Sequence, residues 1–237
     1  MSTRLESLLP ADAPPWKRAM ARSLDPSVRA LHPFARLQSW LTVLRTTVEL
    51  RAAPVPLGTL QGWDRDPERI RHPQGAFFEV IGVEASIGNR EIASWCQPLM
   101  RQVTPGLVAF LVKPIDGVWH LLAQAKMEPG CAEILEIGPT VQITTPFPGE
   151  DPATIPFAAD VLRARGLLHY DVVQSEEGGR FFHEGNRHVL MEMAPDFAAE
   201  PPAFYHWMTF AQLHRFITTG HCVNIEARSL MACVSPY

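Results

Sequence analysis

Apolar residues recur first at helical and then at strand spacing along this chain. Phe34, Leu37, Leu41, Leu44 and Val48 fall three or four apart, which aligns them on one helix face, and Pro33 suits a first helical turn. This predicts an amphipathic helix ended by Pro54 and Pro56, with an apolar stripe that needs a partner surface. From Leu57 the runs become short and β-like. Phe77 to Val83, Glu91 to Trp95, Leu107 to Val112, Val118 to Met127 and Ile134 to Ile137 are candidate strands, and Thr140 to Thr144 extends or follows the last. Asp116-Gly117, between two apolar runs, reads as a hairpin turn. Pro148 to Pro156 is a predicted loop, and Phe157 to Arg165 a short helix closed by Gly166. Leu168 to Gln174 and Arg187 to Met193 are further strands, joined through a turn at Glu184-Gly185-Asn186. Thr209 caps a helix carrying Phe210, Leu213, Phe216 and Ile217 that Gly220 terminates, and Asn224 is placed to cap a last one from Ile225 to Ala232. Pro10, Pro14, Pro15 and Pro26 punctuate the segment before Phe34, an arm with short helical pieces. Strands in a block, bracketed by helices, predict an α+β fold with a mixed or antiparallel sheet. Residues 1–55 form the arm and first helix, and residues 56–237 the domain.

At 237 residues the chain can bury a sizeable core, and its 46% hydrophobic and 19% charged composition is that of a globular protein. A net charge of −4 argues against nucleic acid as a partner, while leaving room for an anionic small molecule held by a few local cations. Cys96, Cys131, Cys222 and Cys233 show neither disulfide-like nor zinc-like spacing, so they read as small hydrophobes in a reducing compartment. Without an apolar run near the roughly 18 residues of a membrane span, the chain is expected to be cytoplasmic.

Candidate chemistry concentrates in one strand. Between Val118 and Glu128, alternation puts Gln124, Lys126 and Glu128 on one face, opposite Ala123, Ala125 and Met127. An amide, an ammonium and a carboxylate in a row describe a pocket floor, although a solvated sheet face reads the same way. No Gly-rich dinucleotide or phosphate loop, zinc-protease motif or nucleophile elbow is present, and no histidines are paired at ligand spacing.

Several motifs occur in family order: Trp95-Cys96-Gln97-Pro98-Leu99, Gly106 to Leu111, Asp116-Gly117-Val118, Gln124 to Gly130 and Pro139-Thr140-Val141-Gln142. Gln174-Ser175-Glu176, Gly179-Arg180-Phe181-Phe182, Asn186-Arg187, Trp207 and Asn224 complete the set. From about Phe34 onward the chain resembles the NDP-hexose 2,3-dehydratase family of deoxysugar biosynthesis. Members of that family carry two such repeats, and this chain carries one. The resemblance implies a Nudix-hydrolase-like fold, although the hydrolase's metal-binding glutamate helix is missing from the sequence.

The resemblance also implies a reaction: loss of water across C2–C3 of an NDP-4-keto-6-deoxyhexose, with the dTDP sugar expected. The substrate's own C4 ketone is the electron sink, so neither cofactor nor metal is expected. Glu128 is the leading acid–base candidate, with Tyr170 and Glu176 as alternatives, and Lys126 would stabilise the C4 oxyanion. Arg180, in a glycine-rich stretch, suits a pyrophosphate, and Arg90, Arg187 and Arg228 are further cationic candidates. Trp63, Trp95 and Trp207 are candidates to stack the base. Gln97, Gln124, Gln142, Gln174, Ser175, Asn186 and Asn224 complete the expected substrate contacts. The expected partners are the nucleotide sugar, a downstream 3-ketoreductase and a second copy of the chain, the copy covering the Phe34–Leu44 stripe. A non-catalytic nucleotide-sugar-binding module and a Nudix-type hydrolase are the alternatives.

Overall fold

Two helices begin the computed structural model, which describes residues 3–89, 91–144 and 151–236: α1 (Pro15–Leu24) and α2 (Phe34–Thr47). Pro33 is the N-cap of α2, and the backbone turns extended at Val48, ahead of the prolines expected to end the helix. The next four strands form an antiparallel sheet in sequence order: β1 (Asp64–Arg65), β2 (Arg69–Arg71), β3 (Phe78–Ser86) and β4 (Ser94–Gln102). The strand expected over Glu91 to Trp95 is displaced towards Gln102. Pro98 is tolerated inside it because β4 is an edge strand and needs no donor on its outer side.

The second sheet is built on β5 (Gly106–Ile115) and β6 (Val118–Lys126). Asp116 and Gly117 both have positive φ, 50° and 76°, as a type I′ hairpin turn requires. Beyond the Val112–Leu121 pair the two strands diverge, and β7 (Glu136–Gly138) and β8 (Val141–Ile143) fill the wedge, pairing with β6 and β5 respectively. Thr140 bridges the split, its hydroxyl accepting from Leu111 N at 2.9 Å and donating to the Leu122 carbonyl.

After α3 (Ala158–Leu162) come β9 (Leu167–Ser175), β10 (Gly185–Glu192), β11 (Tyr205–Met208), α4 (Phe210–Ile217) and α5 (Ile225–Cys233). The sheet order is β11-β6-β5-β10-β9, with β5 and β10 parallel and the other pairs antiparallel. The turn expected at Glu184-Gly185-Asn186 lies earlier. Gly185 and Asn186 already pair with Ser175 and Gln174, and the Glu176 N–H to Glu184 carbonyl bond (3.0 Å) closes the connecting loop. Thr209 and Asn224 cap α4 and α5 as expected.

Both faces of the central strands are buried, which explains the continuous apolar run in β5. On one face Val108, Phe110, Leu121, Ala123 and Leu190 meet the helices; on the other Ala109, Leu111, Val189 and Met191 meet α3. The N-terminal helices belong to this first core: Met20, Leu37 and Leu41 are buried in it. Ser23, also buried, donates to the Trp119 carbonyl and accepts from Phe210 N at 3.0 Å, tying α1 to β6 and α4. The boundary expected near residue 55 therefore marks a change of element type, not a break in the core. The α2 stripe expected to meet a second copy is covered instead by the chain's own helices and sheet. No helix among the described residues is long and apolar enough to cross a membrane.

Met20 is fully buried, so Met20→Ala should cost about 2–5 kcal/mol of unfolding free energy in urea titrations. A loss below about 0.5 kcal/mol, within the range of surface substitutions, would show that α1 is not part of the core.

Candidate active site

The loop between β9 and β10 stitches the two sheets together. Met100 N donates to the Arg180 carbonyl (2.8 Å) and Phe182 N donates to the Met100 carbonyl (2.7 Å), extending the β4 edge. The cleft beneath this seam has two chambers that share Glu176, Phe181 and Glu184. One, of about 480 Å³, has Phe77, Phe78 and Met100 as apolar lining and Glu128, Glu176, Glu184 and Glu226 as its acidic groups. The other, of about 540 Å³, is lined by Trp95, Gln97, Ser175 and Phe182.

Glu128 lies just past the end of β6, and both of its oxygens are held. Gln142 Nε2 donates to Oε1 at 2.9 Å, and Asn224 Nδ2 to Oε2 at 3.2 Å. Asn224 Nδ2 also donates to Gln142 Oε1 at 2.7 Å, while its Oδ1 caps α5 by accepting from Ala227 N at 3.0 Å. The Lys126 ammonium reaches the Gln142 carbonyl at 3.4 Å; burial lowers its pKa, against the opposing charges of Glu128 and Glu226. Across the chamber, Asn186 Nδ2 donates to Glu176 Oε1 at 2.7 Å, and its Oδ1 accepts from Gly106 N (2.9 Å) and Gln102 Nε2 (3.0 Å). A Cβ on Gly106 would collide with Asn186 Oδ1, so this close approach needs glycine.

Glu226 and Glu184 stand apart from these braced carboxylates. Burial, then the charges of Glu176, Glu128 and Glu184, push Glu226 up to about 7, with only Lys126 opposing. The first-turn position in α5 favours its ionised form, but by less than burial among three carboxylates disfavours it. Burial and the charge of Glu176 bring Glu184 to about 7 as well. The chamber thus combines braced carboxylates with carboxyls that keep a proton near neutral pH, a combination suited to acid–base chemistry.

A family model described as NDP-hexose 2,3-dehydratase matches residues 34–234. The chain belongs to this family. Relatives named dTDP-4-dehydro-6-deoxy-alpha-D-glucopyranose 2,3-dehydratase are 39% identical to it. The one from Saccharopolyspora spinosa aligns over 94% of this chain and 46% of its own length, that from Amycolatopsis orientalis over 89% and 45%, and that from Streptomyces violaceoruber over 87% and 47%. The chain therefore spans about half the length of these curated relatives. Among solved structures, an ADP compounds hydrolase aligns with a TM-score of 0.39 and 14% identity, over 79% of this chain and 95% of that one.

Of the residues expected from the dehydratase motifs, Glu128, Lys126, Gln142, Asn224, Glu176 and Asn186 come together around the acidic chamber. Ser175, Trp95 and Gln97 line the second chamber. There Trp95 Nε1 donates to Gln97 Oε1 (2.9 Å), and Gln97 Nε2 to the Gly179 carbonyl (3.1 Å). Arg180 is 72% exposed on the same loop, beside Glu177 at 3.5 Å. Trp63 packs against Phe77 and Phe78, behind the acidic chamber's wall.

The structure places other expected residues away from the two chambers. Arg187 alternates away from Asn186 to the opposite sheet face, where Asp171 holds it with two bonds of 2.7 and 2.8 Å. Trp207 is buried, its indole N–H given to the Ala198 carbonyl at 2.9 Å and its face to Lys113. Arg228 lines a separate groove with Met20 and Met231. Gln124, between Gly138 and Tyr205 in the sheet, lines neither chamber. Gln174 lines neither; it donates to the Tyr170 hydroxyl at 2.6 Å, and Tyr170 packs into the helical core. Arg90 lies outside the described residues. Glu226 and Glu184 carry no local sequence signal of this environment. An acidic residue just after an Asn cap looks like helix-end electrostatics, and Glu184 looked like part of a turn.

Raised carboxyl pKa values have a stability consequence with a definite sign. The contribution of Glu226 is fully present below its ordinary 4.5 and is lost as pH rises through about 7. Glu226→Gln should therefore melt together with wild type near pH 4.5 and progressively higher above it, levelling beyond pH 7. The gap should be on the order of 10 °C, because a shift of this size is worth about 3 kcal/mol and about 1 kcal/mol is worth ~2–4 °C in a chain of this size. Taking the difference cancels His32, His120 and His206, whose burial lowers their pKa values. A gap independent of pH would refute the raised value.

Proposed function

We propose that this cleft eliminates water across C2–C3 of an NDP-4-keto-6-deoxyhexose, the dTDP-linked sugar being the substrate, to give the 3,4-diketo-2,6-dideoxy product. The observation that carries the reading is the braced Glu128 carboxylate beside the desolvated Lys126 ammonium, in a chamber of sugar size. Family membership and the names of the relatives support the same reaction.

In this reading Glu128 removes the C3 proton, which the neighbouring C4 ketone acidifies. Lys126 supplies positive charge to the oxygen that becomes an enolate, a form of stabilisation commonly worth several kcal/mol. Gln142 and Asn224 keep both Glu128 oxygens in a fixed orientation, so little reorganisation accompanies proton transfer. Glu176, braced by Asn186, is an acceptor for a sugar hydroxyl.

Charge sets the direction of binding. A lining with four carboxyl groups, two of them held near the edge of ionisation at neutral pH, disfavours a diphosphate but accepts an uncharged hexose, so the hexose occupies the acidic chamber. The base then lies in the adjoining chamber, where Trp95 is 40% exposed and available for stacking. Arg180, on the loop that borders both chambers, is the cation for the diphosphate.

The test is incubation with dTDP-4-keto-6-deoxyglucose and a 3-ketoreductase that traps the labile diketone, read by mass spectrometry. The expected product has lost one water before reduction. Glu128→Gln should lower turnover by about 10²–10⁴-fold, the usual worth of a general base, with dTDP affinity by calorimetry unchanged. Recovery of intact substrate with wild-type protein would overturn the reaction assignment, and turnover above about a tenth of wild type, well outside that range, would remove Glu128 from its role.

A further inference from the structure

We propose that Glu226 is the acid that protonates the departing C2 hydroxyl, so that elimination runs between Glu128 at the end of β6 and Glu226 in the first turn of α5. The assignment rests on the reaction proposed above.

Three observations on the geometry carry it. Both carboxyl groups line the same chamber. Their relative position is set by Asn224, which caps α5 two residues before Glu226 and holds Glu128 Oε2 with the same side chain. Finally, the Glu226 carboxyl is uncommitted: among the described residues it has neither a hydrogen bond nor an ion pair, whereas Glu128 and Glu176 are engaged by amides. A group that must reach a substrate oxygen cannot be spent on the protein. It must also hold a proton before it can give one, and the burial of Glu226 among like charges provides for that. Glu184 is likewise uncommitted, but it lines the junction of the two chambers and its charged neighbour is Glu176 rather than Glu128 or Lys126. Glu226 is the one beside the base.

The step balances without an external oxidant or reductant. Glu128 takes the C3 proton, and the C3–H electron pair becomes the C3–C4 double bond as charge moves to the C4 oxygen. The C4 carbonyl then re-forms, the C2–C3 double bond forms and the C2–O bond breaks. The departing oxygen takes the proton of Glu226 and leaves as water. The resulting 3-hydroxy-2-ene tautomerises by moving its enol proton from O3 to C2. C3 is thereby oxidised to a ketone and C2 reduced to a methylene within one molecule. Return of the Glu128 proton to Glu226 resets the site.

Removing the acid should separate the two halves of the reaction. In D2O, with dTDP-4-keto-6-deoxyglucose, Glu226→Gln is expected to keep enzyme-dependent exchange at C3, read by NMR, while water loss falls about 10²–10⁴-fold. A 2-fluoro-2-deoxy analogue of the same nucleotide sugar, whose fluoride leaves without needing a proton, should be eliminated by Glu226→Gln at close to the wild-type rate. A merely structural role would not produce that rescue. If wild type turns over and the variant loses water within tenfold of it, loses C3 exchange as well, or is not rescued by fluoride, Glu226 is not the acid. The same holds if Glu184→Gln gives the exchange-without-elimination pattern instead. If wild type neither exchanges C3 nor loses water, the reaction itself is wrong and the assignment falls with it.

Discussion

One amide side chain sets the geometry on which the rest of the site depends. Asn224 uses Oδ1 to cap α5 and Nδ2 to hold both Glu128 and Gln142, so its hydrogen-bonding capacity is committed in three directions. Through it the end of β6, the short strand β8 and the start of α5 are fixed to one another. The residue is buried, where each of these bonds counts for more than it would in water. That rigidity is possible because β5 and β6 diverge. The wedge between them admits β7 and β8, and β8 brings Gln142 within 2.9 Å of Glu128.

The second constraint is electrostatic. Four glutamates share one chamber with a single neighbouring lysine, an arrangement no folding argument would choose. Glu128 and Glu176 are braced by amide donors, and Glu226 and Glu184 meet the repulsion by holding a proton near neutral pH. Such a site costs stability, and the cost is carried by an otherwise well-packed pair of cores. The N-terminal helices are part of that support, because Met20, Ser23 and Leu37 are buried behind the same central strands.

Local signals were legible in the sequence where local physics decides. Asp116-Gly117 specified its turn, and Thr209 and Asn224 specified their caps, because each rests on nearest neighbours alone. Strand alternation also held enough information to separate Asn186 from Arg187, since consecutive residues face opposite ways and Arg187 goes to Asp171. What local physics does not fix was lost. β11 is only four residues long, with His206 among its three larger apolar-bodied residues, too short for a period to show. The register of β4 depends on its pairing with β3 and on the seam with Phe181. Glu226 and Glu184 gain their character only when remote segments bring Glu128 and Glu176 beside them.

The most direct test of the account is a crystal structure of Glu128→Gln bound to dTDP-4-keto-6-deoxyglucose. The account predicts the hexose in the acidic chamber, with C2–C3 between residues 128 and 226, the diphosphate towards Arg180, and the thymine against Trp95. A diphosphate lodged among the glutamates, or a ligand seated away from this cleft, would contradict it.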